Sequence, residues 1–148
     1  MDCGNRLIQL TNYTVGAIPT ATVMPLGIVT RKVARESTCK DTFDISSNAN
    51  NVVYISEPGF YNISYTGNFV ATAAGNVVIN LQINGTTVQT ATVTATAGGN
   101  VQVAINFETR VFKNCNSITN NIPALVGLLN SGVALTSGTS NLVITRLS

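Results

Sequence analysis

From Tyr61 to Ala71 the odd positions are Tyr61, Ile63, Tyr65, Phe69 and Ala71, broken only by Gly67, and the even positions are led by Asn62, Ser64, Thr66 and Asn68. The same alternation returns in Val77, Ile79, Leu81 and Ile83 around Asn80 and Gln82. It returns again in Val101, Val103, Ile105 and Phe107 around Gln102, Asn106 and Glu108. A period of two is the repeat of a β-strand, so one set of side chains faces a core and the other faces away. No segment with helical periodicity competes with it. The chain is predicted to be all-β.

Turn chemistry divides the rest. Glu57-Pro58-Gly59 stops a short strand at Val52–Ser56, because proline fixes φ and glycine accepts positive φ. Asn84-Gly85 is a hairpin signal, since both residues tolerate the conformation of a type I′ turn. The return strand Thr86–Thr96 slips phase after Val88, which marks a bulge. Ala97-Gly98-Gly99-Asn100 reads as a hairpin turn into Val101–Phe112. Phe43 and Ile45 form a brief strand inside a polar loop. Thr22–Arg31 reads as one edge strand interrupted by Pro25 and Gly27. Ile122–Leu129 reads as a strand or irregular crossing, because Pro123, Gly127 and Gly132 oppose a helix. Val133–Leu135 and Leu142–Leu147 close the chain on either side of a Ser137-Gly138-Thr139-Ser140 turn. Short strands at such intervals make an antiparallel sandwich or barrel. Residues 1–21 read as an N-terminal arm whose apolar patch, Leu7, Ile8 and Leu10, with Tyr13, is a candidate attachment segment. Residues 22–148 read as one domain.

Composition limits the chemistry. The chain has 148 residues, enough to bury roughly 68–70% of its unfolded surface. Only 9% of them are charged, well below the quarter typical of soluble domains. Thr, Asn, Ser and Gln take their place, as suits subunits that cover one another. There is no histidine, so no imidazole base and no Ser-His-Asp or Cys-His arrangement can form. Asp41, Asp44 and Glu57 could pair for glycoside hydrolysis or hold calcium, but three acids beside a loop read better as a solvated rim. Cys3, Cys39 and Cys115 lack a CxxC pair, and reduced thiols are the expected state, with a Cys39–Cys115 disulfide as the alternative. No metal, cofactor or enzymatic activity is expected.

Arg31, Lys32 and Arg35 form the basic cluster, too small a face for nucleic acid. No stretch approaches the roughly 18 apolar residues of a membrane span, and no signal peptide is visible. Asn12-Tyr13-Thr14, Asn62-Ile63-Ser64 and Asn84-Gly85-Thr86 match the glycosylation sequon, two of them in predicted strand or tight turn.

Phe43, Pro58-Gly59-Phe60-Tyr61-Asn62-Ile63-Ser64-Tyr65, Leu81-Gln82-Ile83-Asn84-Gly85-Thr86 and Leu142-Val143-Ile144-Thr145-Arg146-Leu147-Ser148 follow in that order. This series resembles the tumour-necrosis-factor and complement-like jelly roll, especially its bacterial and phage versions. Those include the C-terminal domain of a collagen-like exosporium glycoprotein and small phage head-fibre and decoration proteins. The resemblance covers about residues 22–148. It implies a jelly-roll β-sandwich that assembles as a tight homotrimer. No Gly-X-Y stalk precedes the domain, which turns the expectation from a spore filament tip towards a virion component that attaches to the major capsid or other virion proteins.

A jelly roll leaves one face of each sheet for water or for another subunit. Asn62, Ser64, Thr66, Asn68, Gln102, Ala104 and Asn106 share such a face and are the candidate trimer contact. Glu108 shares it too, and belongs at a rim or beside a partner because an unpaired buried carboxylate is costly. The alternative is a module that binds receptors or host surface glycans on a bacterial or spore surface, with Tyr13 and Tyr54 stacking on sugars.

Overall fold

The chain forms strands wherever the two-residue period runs, and two antiparallel sheets result. The structure, a computed structural model, describes residues 6–33, 43–45, 51–112 and 124–147. The strands are β1 (Leu7–Val15), β2 (Thr22–Val23), β3 (Ile28–Lys32), β4 (Phe43–Ile45), β5 (Val53–Ile55) and β6 (Gly59–Ala71). They continue as β7 (Gly75–Ile83), β8 (Thr86–Ala95), β9 (Asn100–Val111), β10 (Ala124–Asn130) and β11 (Leu135–Arg146). The first sheet has the order β3-β1-β11-β6-β9 and the second β4-β5-β10-β7-β8, with β2 also pairing β10. This is the jelly-roll sandwich expected from the sequence.

The apolar phase of each strand fills the space between the sheets. Ile8, Leu10, Tyr61, Ile63, Tyr65, Phe69, Val103, Ile105, Leu142 and Ile144 come from the first sheet. Val53, Ile55, Val77, Ile79, Leu81, Val126 and Leu128 come from the second, and all are buried. Gly67, the break in the β6 pattern, lies in this core. The Phe69 ring occupies the place where a side chain at Gly67 would stand. The glycine is therefore part of the core packing, because only a missing Cβ lets the ring lie flat beneath the strand.

Asn84 and Gly85 adopt φ of 53° and 81° and close the β7–β8 hairpin. The pairing shifts from Leu81↔Gln89 to Gln82↔Thr87, leaving Val88 as the extra residue of the expected bulge.

Four expectations are corrected. The predicted strand at Thr22–Arg31 is two strands in different sheets, β2 and β3, because the chain crosses the sandwich between them and buries Met24 and Leu26 on the way. Gly98-Gly99 does not close a hairpin. β8 and β9 lie in opposite sheets, so the segment is a crossing from one layer to the other. Ser137-Gly138-Thr139-Ser140 is not a turn but the middle of β11, which is held on both sides by β1 and β6. Leu7, Ile8, Leu10 and Tyr13 belong to no free arm. They lie in β1, between β3 and β11, with Ile8 and Leu10 buried, and Ile18 bridges to Leu135 beyond it.

Candidate assembly face

The outward phase of the first sheet forms a continuous surface, and the register fixes its rows. One row runs Leu7–Thr145–Asn62–Glu108, the next outward row Gln9–Val143–Ser64–Asn106, and the third Thr11–Asn141–Thr66–Ala104. Asn68 and Gln102 face one another in the row beyond. All seven candidate contact residues therefore meet on one face. Asn62 and Ser64 are half-buried, and Thr66, Asn68, Gln102, Ala104 and Asn106 are exposed.

The two halves of the face differ. On the β1–β11 side the polar groups satisfy one another: Gln9 Nε2 donates to Asn141 Oδ1 at 2.9 Å, and Thr11 Oγ1 donates to the same oxygen at 3.0 Å. Thr11 Oγ1 also lies 3.0 Å from Thr30 Oγ1 on β3. On the β6–β9 side no side-chain hydrogen bond joins Asn62, Ser64, Thr66, Asn68, Gln102 or Asn106 to any described residue. Their donors and acceptors are open. A depression of about 550 Å³ lies there, lined by Thr66, Gly67, Asn68, Gln102, Val103 and Ala104. A second, of about 350 Å³, lies across the β6 ridge beside Tyr13, which is 67% exposed.

Gln9, Thr11 and Asn141 also belong to the face, and the sequence reading missed them. Their signal was the alternation Asn141, Val143, Thr145, hidden by the reading of residues 137–140 as a turn.

Charge is confined to one end of the face, where Glu108 and Arg31 stand at its two edges. No charged residue stands between Arg6 and Arg31, between Glu57 and Glu108, or between Lys113 and Arg146. The topology gathers the described charges at one end of the sandwich: Arg6 before β1, Arg31 and Lys32 ending β3, Glu57 before β6, Glu108 and Arg110 near the end of β9, and Arg146 ending β11.

At that end Glu57 is no solvated rim. Its Oε2 accepts from Arg6 Nη1 at 3.0 Å and from Arg146 Nη1 at 3.2 Å. Arg146 Nη2 donates to the Pro58 carbonyl at 3.0 Å, and the Tyr61 hydroxyl donates to the Glu57 carbonyl at 2.7 Å. The cluster ties the starts of β1 and β6 to the end of β11. Burial pushes the Tyr61 hydroxyl up to about 12, with Arg146 and Arg6 opposing and Glu57 adding. Burial also pushes the Tyr65 hydroxyl above its ordinary value, with Ser140 opposing. Both are consequences of packing under the sheet and call for no proton transfer.

Among the described residues no group of three or more histidine, cysteine or acidic side chains is placed to hold a metal ion. Cys3, Cys39, Cys115, Arg35 and Asp41 lie outside the described residues, and Asp44 is described only as backbone in β4. Tyr54 pairs with Leu125 in the second sheet, half-buried and away from Tyr13.

No protein-family description and no curated protein matches the chain by sequence. Solved structures do match its fold. The tumour-necrosis-factor protein Eiger from S. frugiperda superposes with a TM-score of 0.72 at 6% identity, over 98% of this chain and 92% of the other. Murine APRIL gives 0.67 at 8% identity over 97% and 99%. Vertex protein P5 of PRD1 gives 0.57 at 13% identity over 98% and 74%. The architecture is a jelly roll of the tumour-necrosis-factor type, and at these identities the likeness speaks for the fold alone.

Proposed function

We propose that this protein is a non-enzymatic, trimeric structural component of a virion, a capsid decoration or head-fibre protein. The observation that carries the reading is the outer face of β6 and β9, where six uncharged polar residues around Ala104 find no side-chain hydrogen-bond partner within the described chain. Uncharged polar groups enter a subunit contact at low desolvation cost, and a partner copy supplies the missing bonds. The fold likeness to a vertex protein of PRD1 supports the virion setting, and the resemblance in the sequence supports the threefold assembly. Attachment to capsid proteins falls to the charged end, where Lys32 and Arg110 are exposed.

The test is the native mass of the full chain under reducing conditions. Three times 15.5 kDa supports the reading, and a monomer throughout the micromolar range overturns it. Binding of the trimer to purified capsids then tests the virion role. The exposure of Tyr13 beside Thr11, Thr139 and Asn141 favours the second reading, a glycan-binding surface, which a glycan array with a specific hit would support.

A further inference from the structure

The first sheet has two unlike edges. The β3 edge ends in Arg31 and Lys32, both exposed, while the β9 edge carries Glu108. Arg31 registers with Gln9 and Glu108 with Asn62, so both point to the outer face, at opposite sides of it. Neither has an ion-pair partner among the described residues. We infer that copies of this chain pack heterologously, the β9 edge of one copy lying across the β1–β3 side of the next, with Arg31 set against Glu108 and Tyr13 seated on Ala104 of the neighbouring copy. This deepens the trimeric reading and rests on it.

Spacing supports the match. The row of Arg31 is that of Gln9, four residues along β1 from Tyr13, while Glu108 lies four residues along β9 from Ala104. Each interval is about 13 Å at strand rise, and both run from the charged end towards the uncharged one. The Gln9 row crosses β9 at Asn106, two residues short of Glu108. Tyr13 lies in the irregular stretch between Asn12, level with Val103 on β9, and Val15, level with Val101, which places it near the height of Gln102, about two residues short of Ala104. One stagger of two residues therefore aligns the ion pair and the aromatic contact together.

The stagger is also geometrically reasonable. In a ring, touching groups share a height along the axis. Two residues amount to about 6.7 Å, and β3 and β9 are four spacings of about 4.8 Å apart, so strands inclined by roughly 20° to the axis absorb the offset. Twisted sheets are commonly inclined in this way.

The pieces fit chemically. Ala104 is the small residue in the middle of the β9 face, and the depression around it is bordered by Asn68 and Gln102, whose amides are open. A tyrosine ring fills such a hollow while its hydroxyl bonds the amides at the rim. Arg110, next on the β9 edge, sits over the rings of Phe60 and Phe112 at 6.0 and 5.7 Å. A heterologous contact must close into a ring or run on as a filament, and three copies close it here.

The test is sedimentation equilibrium of the full chain at low salt, for the wild type, Arg31→Glu, Glu108→Arg and the double variant. All the substituted positions are exposed, and thermal unfolding of each variant verifies its fold. Like charges repeated at three identical contacts are expected to raise the concentration of half-dissociation about tenfold or more in each single variant. The double variant returns to within about threefold of wild type, because the reversed pair is restored. Tyr13→Ala weakens the trimer without changing its salt dependence. Single variants as tight as wild type, or a double variant weaker than both, overturn this packing while a wild-type trimer leaves the trimeric reading standing. A monomeric wild type overturns both.

Discussion

The outer faces of the two sheets are made from nearly the same residues and finish differently. On the second sheet Thr90 Oγ1 donates to Asn80 Oδ1 at 2.7 Å, and Asn80 Nδ2 donates to Ser131 Oγ at 2.7 Å. Thr94 Oγ1 donates to Asn76 Oδ1 at 3.2 Å, and Gln82 Nε2 to Thr87 Oγ1 at 3.4 Å. Hydroxyls on β8 and amides on β7 thus close one another's bonds across the strands, as cross-strand pairs do. On the first sheet Ser64 faces Asn106 and Asn68 faces Gln102, equally capable pairs, yet no such bonds form. Composition alone does not distinguish a finished surface from an open one. The difference is in which groups are already satisfied.

An added charge separates the two faces most strongly. Asn106→Arg on the open face is expected to reduce the native mass from three chains to one, because three guanidinium groups cannot be desolvated unpaired. Thr92→Arg on the closed face is expected to leave the mass unchanged. Equal behaviour of the two variants in size-exclusion chromatography with light scattering would remove the distinction.

A second difference is the clamp beneath the first sheet. Glu57→Gln strips the charge that faces Arg6, which is 3% exposed, and is expected to cost about 3–5 kcal/mol in chemical denaturation. A loss below about 1 kcal/mol would mean that the cluster adds little to holding β1, β6 and β11 together.

Smaller effects sharpen the contrast within the monomer. On an Asn106→Arg background, Asn80→Ala is expected to cost about 1–3 kcal/mol, because Thr90 and Ser131 lose a buried partner. Asn68→Ala on the same background should stay within about 0.5 kcal/mol, since it breaks no bond. Urea midpoints for the pair decide whether the two faces are internally different.

The mildest probe is alkaline pH. The folded value of Tyr61, about 12, lies above the ordinary 10.0, so its contribution is intact below pH 10 and is lost as pH rises towards 12. Tyr65 shifts in the same direction and also hangs from β6. Amide exchange in this window is expected to rise first in the first sheet, and Tyr61→Phe should remove part of that loss. An alkaline transition that begins in the second sheet would contradict the assignment.

Alternation made β5, β6, β7, β8 and β9 legible from residues alone, and Asn84-Gly85 with Val88 marked the hairpin and its bulge. Those signals are local, and the backbone obeys them locally. The seven candidate face residues were legible for the same reason, since two in-phase strands share a face wherever they pair. β1 was not, because Leu7-Ile8-Gln9-Leu10 is too short a run to show whether it pairs or hangs free. Leu142–Leu147 was legible as the end of β11, but its first half was not, because Ser137-Gly138-Thr139-Ser140 has turn chemistry and becomes a strand only between two neighbours. Gly98-Gly99 has the same residues whether it joins two strands of one sheet or crosses between sheets.

That this chain is a sheet protein with a sparse charge supply and no imidazole chemistry follows from its residues alone, because period and composition are properties of the chain. The folded arrangement is what stacks three uncharged stretches together so that the described charges meet at one end. It alone set Arg31 and Glu108 on opposite edges of one face, and left the polar groups of β6 and β9 open while those of β7 and β8 closed. Those outcomes depend on strand order and register, which pair residues more than a hundred positions apart, and no local pattern encodes a partner at that distance.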